Sequence, residues 1–311
     1  MNKKKILIFS IIGVIVIALI ITSILVIKHI NYTKTYEYKF NKIGYNKEEV
    51  VVLKKELKDK QLDELLNHKY DKNITKLVKE KYFIFNKLDD YLKYYKDNKD
   101  KSLADVVAII NTNTNNDFYT NTKETDVSKN ELMLINKYNY LTASYNPDDL
   151  EVFTNVYAYG ENQSLRKDAY DAFIEMWNSA NKDGYKLIVN SSYRSYDEQK
   201  KIYDDYSSWY GEEDADKKAA RAGYSEHQTG LAVDIQSYCS QNKDFEECEE
   251  FTWLTNNAYK YGFILRYPKD KEYLTGYKYE SWHYRYVGKK VSKYIHDNDI
   301  TFDEYYAYFV K

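Results

Sequence analysis

Only five histidines occur in the 311 residues, and two of them stand near acids at spacings that could do chemistry. His227 is followed seven residues later by Asp234 in "GYSEHQTGLAVDI" (residues 223–235), and His283 follows Glu280 by three in "YESWHYRYVG" (residues 279–288). Two imidazoles and a carboxylate form a ligand set for zinc, which in hydrolytic sites takes three protein ligands and keeps a fourth position for water. Zinc lowers the pKa of water from about 15.7 towards about 7 and polarises a carbonyl. A carboxylate outside the ligand set, Glu280 here, then takes the water's proton and passes it to a leaving amine. A third segment, "SSYRSYDEQ" (residues 191–199), sets Arg194 at a strand end just before a helix. An arginine there binds a carboxylate bidentately or stabilises an oxyanion. Each feature also has a plainer reading: a His–Asp hydrogen bond, an aromatic cluster of His283 with Trp282, Tyr284 and Tyr286, a surface acid at Glu280, and a surface salt bridge at Arg194.

These residues need elements to hold them. "GLAVDI" alternates as a strand, with Leu231, Val233 and Ile235 on a face that goes to the core and Ala232 and Asp234 on the other. Small Ala232 leaves space beside Asp234, and Gly230 lets the chain turn so that His227 approaches the same point. "YKLIVNSSYR", "FILRY" and "SWHYRYV" read as further strands, and "SYDEQKKIYDDYSSWY" as a helix opened by a Ser195–Glu198 capping box. "SLRKDAYDAFIEMWNSANKDG" reads as a helix whose apolar face is Leu165, Ala169, Phe173, Met176, Trp177 and Ala180, closed by Gly184. "EEFTWLTNNAYKYG" is a helix ending at Gly262, and two helices finish the chain, the last capped by Thr301 and Glu304. Helices mixed with strands across residues 131–311 predict an α+β domain with a mainly antiparallel sheet and flanking helices.

Ahead of that domain, Lys3, Lys4 and Lys5 precede a 22-residue uncharged run rich in Ile, Val and Leu, residues 6–27. A helix of that length spans a hydrocarbon core of ~30 Å. The lysines favour a cytoplasmic N-terminus. The run is longer than a signal-peptide core and no A-x-A-like site follows it, so residues 1–30 are expected to be a retained signal-anchor, with the rest of the chain extracytoplasmic. Residues 31–110 read as a stalk and a small helical module, a spacer in which "NKEEVVVLKKELKD" begins with an N-cap and acids in the first turn. Asn- and Thr-rich residues 111–130 read as a linker. Cys239 and Cys248 lie in the outward-facing part, which permits a disulfide between them. A formal net charge of −2 carries no nucleic-acid footprint. The 36 tyrosines, set against 2 prolines, reflect codon bias rather than a ligand-binding surface.

The three segments, in this order and at these separations, closely resemble the VanY-type zinc D-alanyl-D-alanine carboxypeptidases, which share the fold of the D-Ala-D-Ala dipeptidases and of the hedgehog signalling domain. The resemblance runs over roughly residues 132–305 and includes "NKYNYLTASYNPDDL" and "NAYKYGFILRYP"; the joint pattern Ser-x-His-x6-Asp with Glu-x-Trp-His is highly specific. It implies that His227, Asp234 and His283 bind Zn²⁺, that Glu280 is general base and then general acid, and that Arg194 stabilises the carbonyl oxygen. It further implies that Ser225 and Gln199 help hold the peptide terminus. Ala222 stands where the family often has proline, a change that loosens the entry loop and removes no catalytic atom. Two neutral imidazoles and one carboxylate leave the zinc site near +1, which suits a substrate ending in a carboxylate.

The expected activity is removal of the terminal D-Ala from peptidoglycan stem peptides. An L,D-carboxypeptidase acting on tetrapeptide stems is the alternative within the same chemistry. A dipeptidase acting on free D-Ala-D-Ala, a cytoplasmic substrate, fits an outward-facing chain less well. The rival from another class is a non-catalytic wall-binding or sensor protein with a structural zinc. Glu280 separates the two, because a structural site closes with four protein ligands and needs no base.

Overall fold

The computed structural model describes residues 3–310. The chain divides into two compact units, Met1–Val107 and Ala108–Lys311.

In the first unit, helix α1 (Lys3–Thr33) contains the apolar run, and its Ile12–Thr33 stretch is long and apolar enough to cross a membrane. Short helices follow: α2 (Tyr36–Ile43), α3 (Lys47–Glu56), α4 (Asp59–Leu65), α5 (Ile74–Leu77) and α6 (Leu88–Asp97), and α7 (Leu103–Thr112) begins in this unit and ends in the second. Helix α3 begins where its sequence predicts. Asn46 Oδ1 accepts from the Glu49 N–H at 2.9 Å, and the Asn46 N–H donates to the Glu49 carboxylate at 2.8 Å. Apolar residues three and four apart on these helices close a small core around Phe40, Leu53, Leu65, Ile74, Leu77 and Tyr91.

The second unit is α+β. Its chain order is β1 (Lys123–Glu124), β2 (Asn139–Tyr140), β3 (Leu150–Val152), β4 (Ser164–Arg166), α8 (Lys167–Lys182), β5 (Ile188–Ser191), α9 (Tyr196–Tyr210), α10 (Glu212–Lys218), β6 (Ala232–Gln236), α11 (Glu249–Asn257), β7 (Phe263–Leu265), α12 (Glu272–Thr275), β8 (His283–Tyr286), α13 (Lys289–Asn298) and α14 (Phe302–Phe309). The main sheet has the spatial order β5-β6-β8-β7 with every pair antiparallel. One face, carrying Leu231, Val233, Ile235, Phe263 and Tyr284, packs against Phe173 and Met176 of α8 and Leu254 of α11. The other face is also covered: Ala232, expected simply to leave space, is itself fully buried. A second cluster joins Ile264 to Val291, Ile295, Phe302 and Tyr306 of the two C-terminal helices.

Two local expectations change. Ser164–Arg166 is a strand, not the first turn of α8, because it pairs with Leu150–Val152 and the Arg166 N–H donates to the Gly230 carbonyl at 2.8 Å. Leu165 therefore enters the core from β4, while Ala169, Phe173, Met176 and Ala180 form the buried face of α8. Residues 111–130, read as a linker, carry structure of their own. β1 pairs in parallel with β2, and the Thr125 hydroxyl donates to the Leu134 carbonyl. Composition does not reveal such pairing, because Asn and Thr serve ordered turns as readily as open loops. Cys239 and Cys248 are joined in a disulfide just beyond β6.

Candidate functional site

The register of the sheet brings the first two groups together. Asp234 on β6 is the direct cross-strand partner of His283 on β8, and Ser191 on β5 lies opposite Asp234 from the other side. Side chains of paired residues point to the same face, so Asp234 Oδ1 comes within 3.0 Å of His283 Nδ1. His227 arrives from a 3₁₀ turn, Glu226–Thr229, capped by Ser225 and closed by Gly230 in the left-handed conformation. Its Nε2 lies 3.5 Å from Asp234 Oδ2. The two imidazoles meet edge to face with centroids 5.0 Å apart. One donor atom each from His227, Asp234 and His283 lies within 4.8 Å of the others.

This donor set fits zinc. Ligands about 2.0–2.1 Å from a tetrahedral ion stand roughly 3.4 Å from one another, close to the separations of Asp234 from both rings. The His227 ring is already oriented for such a role: its Nδ1 lies 2.6 Å from the Ser192 carbonyl oxygen. That carbonyl can only accept, so Nδ1 carries the proton and Nε2 is left as a free donor of its lone pair.

The electrostatics follow from burial and proximity. Burial works against the Asp234 charge, yet the His227 and His283 rings hold its carboxyl well below the usual carboxylate range. Burial pulls His227 down. It opposes charge on His283 as well, but Asp234 and Glu226 together raise that ring to about 9. Glu280 Oε2 is 3.8 Å from His283 Nδ1, with its side chain 24% exposed towards the cleft. Burial pushes its carboxyl up to about 7, with His283 pulling the other way. A carboxylate with a pKa near neutrality can both take and return a proton.

Arg194 and Gln199 meet in the structure. Arg194 Nη1 donates to Gln199 Oε1 at 2.7 Å and Nη2 to Ser191 Oγ at 2.9 Å, and the backbone N–H of Arg194 donates to the His227 carbonyl. Gln199 is buried, and its amide nitrogen donates to the Ala220 carbonyl at 2.7 Å. Ser225 Oγ accepts from the His227 N–H at 3.4 Å. Arg194, Gln199, Ser225, His227, Asp234, Glu280 and His283 all line one cleft of about 450 Å³, whose walls also include Tyr206, Tyr267 and Trp282. The disulfide lies outside this lining.

Sequence reasoning missed a buried charge cluster behind the site. Glu226 Oε1 accepts from Arg266 Nε at 2.8 Å and from Arg285 Nη1 at 2.9 Å, and Arg266 Nη1 donates to Asp303 at 2.6 Å. Glu226 Oε2 lies 3.5 Å from His283 Nε2. One signal was available: Arg285 stands two residues from His283 on the same strand face, so a charged side chain had to be buried next to a candidate ligand.

Comparison with known proteins came to the same region. The family model described as "VanY: D-alanyl-D-alanine carboxypeptidase" matches residues 162–289. YodJ of Bacillus subtilis (strain 168), whose name assigns it provisionally to the carboxypeptidases, is 47% identical over 184 residues, covering 57% of this chain and 67% of that protein. The solved structure of the LdcB LD-carboxypeptidase, described in connection with peptidoglycan recognition, superimposes with a TM-score of 0.57 at 44% identity, covering 62% of this chain and 94% of that one. A variant of the vancomycin resistance D,D-pentapeptidase VanY, in complex with Zn(II), gives a TM-score of 0.50 at 33% identity, covering 56% of this chain and 98% of that one. The chain spans 60–67% of the length of the curated relatives it matches.

Proposed function

The chain belongs to the VanY family of D-alanyl-D-alanine carboxypeptidases, and from that membership we propose that it is a membrane-anchored zinc carboxypeptidase that removes the terminal D-Ala from peptidoglycan stem peptides ending in D-Ala-D-Ala. The observation that carries this reading is the convergence of His227, Asp234 and His283 donor atoms within 4.8 Å, beside a second acid, Glu280, that is not part of that group. Three donors and a base suit hydrolysis rather than a closed structural site.

In this reading His227 Nε2, Asp234 and His283 Nδ1 hold the ion. Zinc, when bound, polarises the scissile carbonyl and makes water acidic enough to deprotonate near neutral pH. The Glu280 carboxylate takes the proton of the attacking water. Water oxygen bonds to the carbonyl carbon, the C–N bond breaks, and Glu280 returns the proton to the leaving amine nitrogen, releasing D-Ala and a shortened peptide. Arg194 donates to the carbonyl oxygen as negative charge builds on it, held in place by Gln199 and Ser191. Ser225 lines the cleft and in this reading helps hold the peptide terminus. The apolar stretch Ile12–Thr33 and the disulfide both support anchoring to a membrane with the second unit in an oxidising, extracytoplasmic space.

One observation favours a second reading, an L,D-carboxypeptidase acting on tetrapeptide stems. The LD-carboxypeptidase structure resembles this chain at higher identity and TM-score than the D,D-pentapeptidase does. Both scissile bonds precede a C-terminal D-Ala, so the reacting groups are the same. Mass analysis of products from purified penta- and tetrapeptide muropeptides decides between them: loss of one D-Ala from the pentapeptide alone is the D,D outcome, and loss from the tetrapeptide is the L,D outcome. Glu280→Ala should keep zinc and lose turnover by at least about 10²-fold. Unchanged turnover in that variant sinks the mechanism, and a wild-type chain that holds zinc but cleaves neither substrate is a non-catalytic zinc protein.

A further inference from the structure

His227 and His283 face the same carboxylate, Asp234, through different ring nitrogens. His227 turns Nε2 to it, and His283 turns Nδ1 to it. What sets the first is the Ser192 carbonyl at 2.6 Å from His227 Nδ1. The corresponding nitrogen of His283, Nε2, has Glu226 Oε2 at 3.5 Å. We propose that Glu226 is a positioning residue for His283: its carboxylate holds a proton on Nε2 and thereby leaves Nδ1 bare, on the side of Asp234, to ligate zinc. This rests on the zinc reading of the site given above.

The surroundings of Glu226 explain why it can do this without becoming a ligand itself. Its side chain is fully buried, and Oε1 is taken by two guanidinium groups, Arg266 Nε and Arg285 Nη1. Those arginines are fixed in turn. Arg266 pairs with Asp303 on α14, which also accepts from Asn136 Nδ2 at 2.8 Å. Arg285 Nη2 donates to the carbonyls of Glu131 and Met133. Two arginines and two carboxylates cancel in charge, so the cluster is neutral and its carboxylate is held rigidly by charge-assisted hydrogen bonds. Only Oε2 faces the ring. A carboxylate can accept but not donate, so it favours the tautomer protonated on Nε2. Tyr267, tilted over the ring with centroids 4.9 Å apart, limits its rotation. A carboxylate behind a ligating imidazole fixes its orientation and raises its basicity, and loss of such a partner typically weakens metal binding about 10–100-fold.

Glu226→Gln makes a pointed test because the geometry dictates how the amide must sit. The carbonyl oxygen stays with the two arginines, and the NH₂ group turns to His283 Nε2. Two donors then face each other unless the ring proton moves to Nδ1, the nitrogen needed for zinc. The full-length chain in detergent would be titrated with Zn²⁺ against a chromophoric chelator, and its histidine ring nitrogens assigned by ¹⁵N NMR with and without zinc. The expected result is a proton on His283 Nε2 in the wild type in both states, and a zinc affinity about 10–100-fold lower in Glu226→Gln, partly restored in Glu226→Asp. Equal zinc affinity in a folded Glu226→Gln chain overturns the proposal. So does a wild-type His283 that is bare at Nε2, a result that does not depend on any variant folding. A wild-type chain that takes up no zinc overturns the functional reading instead, and the ring assignment in the metal-free protein, made above pH 9 where the ring is neutral, still decides the role of Glu226.

Discussion

Gln199 Oε1 accepts a 2.7 Å hydrogen bond from Arg194 Nη1, and the same amide donates at 2.7 Å to the Ala220 carbonyl. Gln199 thus uses one acceptor site and one N–H on the protein, and it holds the guanidinium that lines the cleft beside it. Gln199→Ala should lower kcat about tenfold with a smaller change in KM, because it loosens Arg194, the group proposed to act in the transition state. Arg194→Ala should cost about 10²–10³ in kcat, the usual loss for an oxyanion donor. Steady-state kinetics separate this from direct substrate contact: a raised KM at unchanged kcat in Gln199→Ala would put the amide on the peptide.

Gly230 sits at φ +68° between the turn that carries His227 and the strand that carries Asp234, and a Cβ there would lie 2.9 Å from Arg166 Cγ. A left-handed conformation costs a residue with a side chain roughly 1–2 kcal/mol. Gly230→Ala should therefore lower the melting temperature by about 2–4 °C per kcal/mol lost, and weaken zinc binding because His227 shifts. Thermal melts and chelator competition check both, and a variant equal to wild type in each would remove the turn from the list of requirements.

Lys137 is buried, with Nζ donating to the Asp216 carbonyl at 2.7 Å and standing 3.9 Å from the centre of the Phe118 ring. Burial pulls its pKa down from 10.5 to about 8, against the attraction of Asp216 and Glu272. Below pH 8 the ammonium is charged in folded and unfolded chains alike, and the folded state bears the full cost. Between about 8 and 10.5 the unfolded chain keeps the proton that the folded chain has lost, so this group's contribution to stability rises with pH. Urea unfolding of wild type and Lys137→Met from pH 7 to 10 isolates it from the tyrosines that ionise in the unfolded chain over the same range. The difference should move in favour of wild type by about 2–3 kcal/mol; a flat difference would mean that the aromatic rings compensate the buried charge in full.

The Cys239–Cys248 bond closes a loop with a sequence separation of 9. Loop-closure entropy for a ring of that size amounts to about 2–3 kcal/mol. A Cys239→Ser/Cys248→Ser double variant should melt several degrees lower yet bind zinc with wild-type affinity, since neither cysteine lines the cleft. Loss of zinc binding in a folded double variant would show that the loop after β6 helps hold Asp234.

The residues proposed to react stand out in the sequence because their types and spacing are properties of short stretches. Ser225, His227, Asp234, Glu280 and His283 stand at positions whose residue types already suit one chemistry. The strand of "GLAVDI" was legible too, since alternation is a local property. The extra strand at Ser164–Arg166 was not, because an amphipathic pattern continues smoothly from it into α8 and only its pairing with Leu150–Val152 separates the two.

By itself, then, the sequence determined the α+β class, the apolar N-terminal helix and the side chains proposed for hydrolysis, all of which depend on composition and on neighbours a few residues apart. Tertiary structure alone decided which atoms face one another. The β6–β8 register opposes Asp234 to His283, β5 delivers the Ser192 carbonyl to His227, and the chain from β7 to α14 brings Arg266 and Asp303 behind Glu226. Such pairings join residues 35 to 49 positions apart. They are set by sheet register and by the need to neutralise buried charge, neither of which is written in any short stretch of the chain.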